Sequence, residues 1–154
     1  MTAPLRLASL LLALAAPAAA EEAPLASYWQ NSGSLPPEYA WETTATISET
    51  GRLVLRHCKG YATEGPGCET REAQVDRPAL DAILDAARAS DLLSNPAAEP
   101  EEPMVGGPGR GGAVWLDGGR LILPAQAAVS DEARVAHVLD TIAAAIPETL
   151  RQND

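Results

Sequence analysis

Cys58 and Cys68 are the only cysteines in the chain, and the segment between them, Lys-Gly-Tyr-Ala-Thr-Glu-Gly-Pro-Gly, is rich in turn formers. If the two sulfurs pair, the backbone must reverse inside that interval, and Gly60, Gly65, Pro66 and Gly67 allow it to do so. The flanking stretches 52–58 and 68–75 read as the two arms of a long hairpin. Directly opposed residues of antiparallel strands approach to about 4.5 to 5.5 Å at Cα, which overlaps the range a disulfide accepts. On the chain-entropy model, closing a loop of this size stabilises by roughly 2.5 to 3 kcal/mol. A zinc site would need three or four ligands, and the other strong candidate, His137, falls on a helical stretch far away. A redox pair is normally spaced Cys-x-x-Cys, so the pair is read as a structural disulfide.

Pairing requires an oxidising compartment, and residues 1–20 supply the reason to expect one. Arg6 precedes a Leu/Ala-rich run, and the small triplet Ala18-Ala19-Ala20 stands before Glu21, the pattern of a cleavable signal peptide. A spanning helix needs roughly 20 apolar residues, and the run from Leu7 to Ala16 is shorter. No cysteine follows it that could carry a lipid. The expectation is a periplasmic or secreted mature chain, residues 21–154, with no membrane insertion. The full chain has 11 basic and 21 acidic residues, and losing Arg6 leaves 10 against 21, a net charge of −11. A chain this acidic is repelled by nucleic acid and anionic lipid, which excludes both as partners. The mature length fits a single domain.

The patterning predicts an α+β domain. Tyr28-Trp29 belong to a first short strand, and 40–48 alternates Trp41, Thr43, Ala45 and Ile47 against Glu42, Thr44 and Thr46. Leu53 and Leu55 share one face of the next strand, with Val54, Arg56 and Cys58 on the other. Asp76 is the expected N-cap of a helix carrying Pro78 in its first turn and Leu80, Ile83, Leu84 and Ala87 on one stripe. Residues 95–112 read as a long flexible loop. After it, 113–124 is a hairpin around Asp-Gly-Gly, and Ser130 is the expected cap of a last helix bearing Val135, Val138, Leu139, Ile142 and Ile146. Two amphipathic helices need an apolar floor, so an antiparallel sheet, meander plus C-terminal hairpin, with both helices on one face is the expected fold.

No catalytic constellation emerges. Gly107-Pro108-Gly109-Arg110-Gly111-Gly112 matches G-x-G-x-x-G, but it leads into a strand instead of opening a helix, so no nucleotide cofactor is expected. Glu99, Glu101 and Glu102 lack the spacing of a calcium loop, and no metal is expected. A hydrolase would rest on His57 with a carboxylate, yet His57 follows Leu53 and Leu55 in parity and reads as support for the hairpin. Four of the six aromatics lie between Tyr28 and Trp41. Tyr39 and Trp41 share the inward parity of Ile47 and are expected to anchor the core. Tyr28, Trp29 and the Ser32-Gly33-Ser34 turn are expected to form an exposed lip for a partner.

The run Asn-Ser-Gly-Ser-Leu-Pro-Pro-Glu-Tyr-Ala-Trp-Glu at 31–42 is followed by a short meander, a leucine-spaced helix, a glycine-rich loop, the Leu-Asp-Gly-Gly-Arg-Leu-Ile-Leu-Pro hairpin and a closing helix. This layout resembles the emfourin-like small protein inhibitors of bacterial metalloproteases. That family opens with a strand ending in Ser-Gly-Gly; here Ser32-Gly33 match and Ser34 stands in the third place. The resemblance implies inhibition and points to this segment as the reactive part. The chain therefore reads as a small exported, non-enzymatic domain that binds another protein. The alternative is an envelope module that stacks a sugar or peptidoglycan fragment on Tyr28, Trp29 or Trp41.

Overall fold

The computed structural model describes residues 22–151; the expected leader, residues 1–20, lies outside the described residues. Strands β1 (Pro24–Asn31), β2 (Trp41–Ser48), β3 (Arg52–Lys59) and β4 (Cys68–Gln74) form a meander. Helix α1 (Arg77–Ala89), the hairpin β5 (Gly109–Leu116) and β6 (Gly119–Leu123), helix α2 (Val129–Ala145) and the single turn α3 (Glu148–Arg151) follow. All pairings are antiparallel, and the strand order is β4-β3-β2-β1-β5-β6. The α+β class holds.

Alternation along the strands sorts the sheet into two unlike faces. Tyr28, Ala45, Ile47, Leu53, Leu55, Val114, Leu116, Leu121 and Leu123 point to one side and join Leu80, Ile83, Val135, Val138, Leu139 and Ile142 in one buried cluster. The opposite parity carries Ser27, Trp29, Thr44, Thr46, Val54 and Arg56, and none of these enters the cluster. Both helices therefore lie on one face: they pack on each other, α1 also touching β5 and α2 touching β1 and β6. Each fully buried Leu or Ile contributes about 1.5 to 3 kcal/mol relative to exposure.

Local chemistry explains the element ends. The Asp76 carboxylate accepts the Ala79 N–H at 3.0 Å, capping α1. Asp117 and Gly118 both have positive φ, 51° and 75°, which gives the β5–β6 hairpin the two-residue turn that matches strand twist. α2 departs from expectation. It starts at Val129, with Ala128 in the cap position and no side-chain cap, so Ser130 is not the cap. The start is instead tied to the preceding loop: the Ala128 N–H donates to Ala98 O at 2.8 Å, and the Asp131 carboxylate accepts the Ala98 N–H at 2.8 Å.

The 95–112 loop is also corrected at its far end. Gly109–Gly112 are strand, paired with β1 from Asn31 back to Tyr28. The glycines are required by close approach. A Cβ on Gly111 would stand 2.9 Å from the Trp29 indole, and one on Gly112 would stand 2.2 Å from Ser27 O. The G-x-G-x-x-G pattern thus makes room for a neighbouring strand and its tryptophan.

Cys58 and Cys68 are directly opposed across β3 and β4, with Cα atoms 4.0 Å apart and an S–S bond of 2.03 Å. Replacing both by alanine should lower the unfolding free energy by about 2.5 to 3 kcal/mol in urea titrations. Gly112→Ala should lower it by about 1 to 3 kcal/mol, because the strand pair must separate. Gly109→Ala should lower it less, since its Cβ would meet Trp29 at an ordinary 3.4 Å.

Candidate functional site

The two ends of the sheet are built differently. At one end the chain reverses in the short turns 49–51 and 117–118; at the other end emerge the loops 32–40 and 60–67 and the connection 124–128, and the strap 90–108, which starts near the 117–118 turn where Arg88 pairs with Asp117, delivers its last residues there. The loop end holds the segment singled out in the sequence. There Ser32, Gly33 and Ser34 form a hydrogen-bonded joint.

Asn31 Oδ1 accepts the N–H groups of Gly33 at 3.0 Å and Gly109 at 3.2 Å. Ser32 exchanges backbone and side-chain bonds with Trp41: its N–H donates to Trp41 O at 3.1 Å, and its Oγ accepts the Trp41 N–H at 3.0 Å. Ser34 N–H donates to Gly106 O at 2.9 Å. Gly33 has φ 77°, and a Cβ there would lie 2.5 Å from the Gly107 carbonyl carbon. The positive φ and the close approach both call for glycine at that position.

Around this joint, Asn31, Ser32, Ser34, Trp41, Tyr61 and Thr63 line a cavity of about 390 Å³. The tip loops brace one another. Tyr61 Oη donates to Leu35 O, and Gly60 N–H donates to Ala40 O at 2.7 Å. The Cys58–Cys68 bond closes the base of the 60–67 loop.

The proposed lip comes apart along strand alternation. Tyr28 is 6% exposed, sits in the core cluster and bonds Gln30 through its hydroxyl, so it is no part of an exposed lip. Trp29, its neighbour, points to the helix-free face and lies half-buried over Gly109 and Gly111. Adjacent strand residues cannot share a face. Ser32 and Gly33 are half-buried in the joint, and Ser34 is exposed.

Tyr39 is corrected as well. It is 67% exposed, because β2 begins only at Trp41 and Tyr39 lies in a turn whose N–H bonds Pro36 O at 2.9 Å. Inward parity does not extend through a turn made by Pro36-Pro37. Trp41 is half-buried, its ring centroid 6.1 Å from that of His57. Leu35, Tyr39 and Tyr61 are the surface residues that parity reasoning missed; the Pro-Pro break and the glycines around Tyr61 were the available signal.

His57 is buried on the helix-side face, with Nδ1 2.8 Å from Thr43 Oγ1. Burial pushes its pKa below the usual 6.5, helped by the nearby positive charges of Lys59 and Arg71 and opposed by Glu69. His137 is exposed on α2. Among the described residues, no three His, Cys, Asp or Glu side chains gather in a way that could hold a metal ion. Nor, among them, is any helix long and apolar enough to cross a membrane. No protein-family model matches the chain, and a search of curated proteins finds no match.

Because His57 has a lowered folded pKa, the unfolded chain takes up its proton first as the solution is acidified. Its contribution to stability is complete above about pH 6.5 and is lost as the pH falls from there through the folded value. In urea titrations between pH 8 and pH 5.5, the wild type should therefore lose more stability than His57→Gln. Parallel curves would show that the imidazole does not carry this dependence.

Proposed function

We propose that this protein is a small, exported, non-enzymatic domain that presents its loop end to another protein, and that the partner is a protease. The observation that carries this reading is the placement of exposed apolar side chains. Leu35 (42% exposed), Tyr39 (67%), Tyr61 (66%), Met104 (75%) and Val105 (96%) all lie on three loops that meet at one end of the sheet. Tyrosines on a braced surface supply contact area at little entropic cost, because the loops are ordered before they bind. The Ser32–Gly33 joint lies beneath them, and the resemblance of the chain's layout to emfourin-like inhibitors, with Ser32-Gly33 its one matching motif, adds the protease as the class of partner. Residues 1–20 and the joined cysteines support export.

The test is affinity capture from periplasmic extract, followed by inhibition assays on any protease recovered. A stoichiometric partner is expected, and Tyr39→Ala with Tyr61→Ala should weaken its binding by about 2 kcal/mol or more while leaving the circular dichroism spectrum unchanged. Capture of the same partner at full strength by the double variant would remove the loop end from the interaction.

A second reading is favoured by one feature: Trp41 and Tyr61 both line the cavity of about 390 Å³, a size that suits a small ligand. On that reading the cavity takes a sugar or peptidoglycan fragment, and tryptophan fluorescence should change saturably on titration with muropeptides. A flat response would dismiss it.

A further inference from the structure

We propose that the groove between the strap and helix α2 is a docking site for a peptide segment that carries apolar side chains flanked by lysine or arginine. The proposal goes beyond the loop-end reading and shares only Met104 with it. The groove encloses about 790 Å³. Its floor is apolar: Val135, Ala136 and Leu139 of α2 meet Pro124, Ala125 and Ala127 of the preceding connection.

The part of the strap that walls this groove is fixed at two points. At Ala98 it is held by the Ala128 N–H and the Asp131 carboxylate. At Met104 it is held by Gln126, whose side-chain amide accepts the Met104 N–H at 2.7 Å and donates to Met104 O at 2.6 Å, as a neighbouring strand would. Arg134 secures the first anchor. Its guanidinium and the Ala98 N–H hold the Asp131 carboxyl below the usual carboxylate range, and it also donates to Ser90 O at 3.0 Å. The groove is thus a preformed feature with apolar rims, Met104 at 75% and Val129 at 86% exposure.

Charge selects the occupant. Glu101, Glu102 and Glu132 line the groove, and none has a cation partner among the described residues. The single lining cation, Arg110, is neutralised by Asp140. An apolar floor under a negative rim favours a segment that brings its own positive charge. A second copy of this chain, at a net charge of −10, brings the wrong sign.

The experiment is fluorescence anisotropy on the folded protein with a labelled decapeptide of alternating leucine and lysine. Leucine–glutamate and serine–lysine decapeptides serve as controls. The leucine–lysine peptide should bind saturably in the micromolar range, and each control at least about ten-fold more weakly. Its affinity should fall as salt is raised, since the charged rim is exposed. Two variants test the place of binding: Met104→Ser with Val129→Ser removes the apolar rim, and Glu101→Gln with Glu102→Gln removes the charge the strap brings to the groove. All four side chains are exposed, so folding should be intact by circular dichroism, and each pair should weaken the peptide by about ten-fold. Tyr39→Ala with Tyr61→Ala should leave it unchanged, which separates this proposal from the loop-end reading. Equal binding of the three peptides, undiminished binding to the groove variants, or no saturation by about 1 mM would overturn it. So would self-association that Met104→Ser with Val129→Ser abolishes, because the groove would then belong to a second copy.

Discussion

The pairing of β1 with β5 is the contact on which the rest of the molecule depends. The meander and the C-terminal hairpin are each local structures, and each leaves one edge open. β1 closes both by pairing with β2 on one side and β5 on the other, Tyr28 opposite Ala45 and Gly112. Such pairing is entropically demanding, because the chain between β1 and β5 must be organised before the ladder forms. What makes it possible is an absence of side chains. Gly111 and Gly112 let the Ser27 backbone and the Trp29 indole approach to distances no Cβ would permit. Glycine normally weakens a strand interior, and here the lost propensity is offset by ladder bonds and by the ring laid across the gap.

A continuous six-stranded floor follows from that join, and it lets two short helices bury their stripes in one cluster instead of two. The join also decides what lies at the loop end. Since β5 begins at Gly109 opposite Asn31, the strap must deliver Gly106 and Gly107 to the Ser32–Ser34 turn, where Asn31 Oδ1 ties both segments together. The disulfide acts on the far side of the same end. It pins the 60–67 loop at β3 and β4, the latter an outer strand whose Glu69, Arg71 and Glu72 keep that edge charged.

Much of this was legible in the sequence wherever the signal was local. The period-two alternation of β2 and β3, the opposed cysteines, the Asp76 cap and the helix stripes follow from residues a few positions apart, and the structure has them. The α+β class follows from counting apolar faces. The misreadings share a cause: each depends on a partner distant in sequence or on a turn that resets parity. Residues 95–112 look featureless because their order comes from Ala128, Asp131 and Gln126, a helix start and a side-chain amide that no pattern within the loop announces. Tyr28 and Trp29 read as one aromatic lip only while the strand they share is ignored. Tyr39 reads as core only while the Pro36 turn is ignored. For the candidate site, the turn 32–34 could be found from composition, but the tyrosines above it could not be placed without the loop geometry.

Ion pairs cover much of the sheet and the helices. Most arginines of the sheet and helices are matched: Arg52 with Glu72, Arg71 with Glu69, Arg77 with Asp81, Arg88 with Asp85 and Asp117, Arg110 with Asp140, and Arg134 with Asp131. All but the largely buried Arg134–Asp131 are exposed pairs, which add little stability but cancel one another's field. Carboxylates with no cation partner among the described residues remain at both ends of the sheet: Glu38, Glu64, Glu101 and Glu102 on the loops of one end, with Lys59 the one lysine near them, and Glu49 and Asp76 at the other. Glu38, Glu64, Glu101 and Glu102 thus put unmatched negative charge beside the exposed tyrosines and the apolar groove. A positively charged surface that meets that end finds carboxylates free to pair with it, and short-range apolar burial then decides whether it stays.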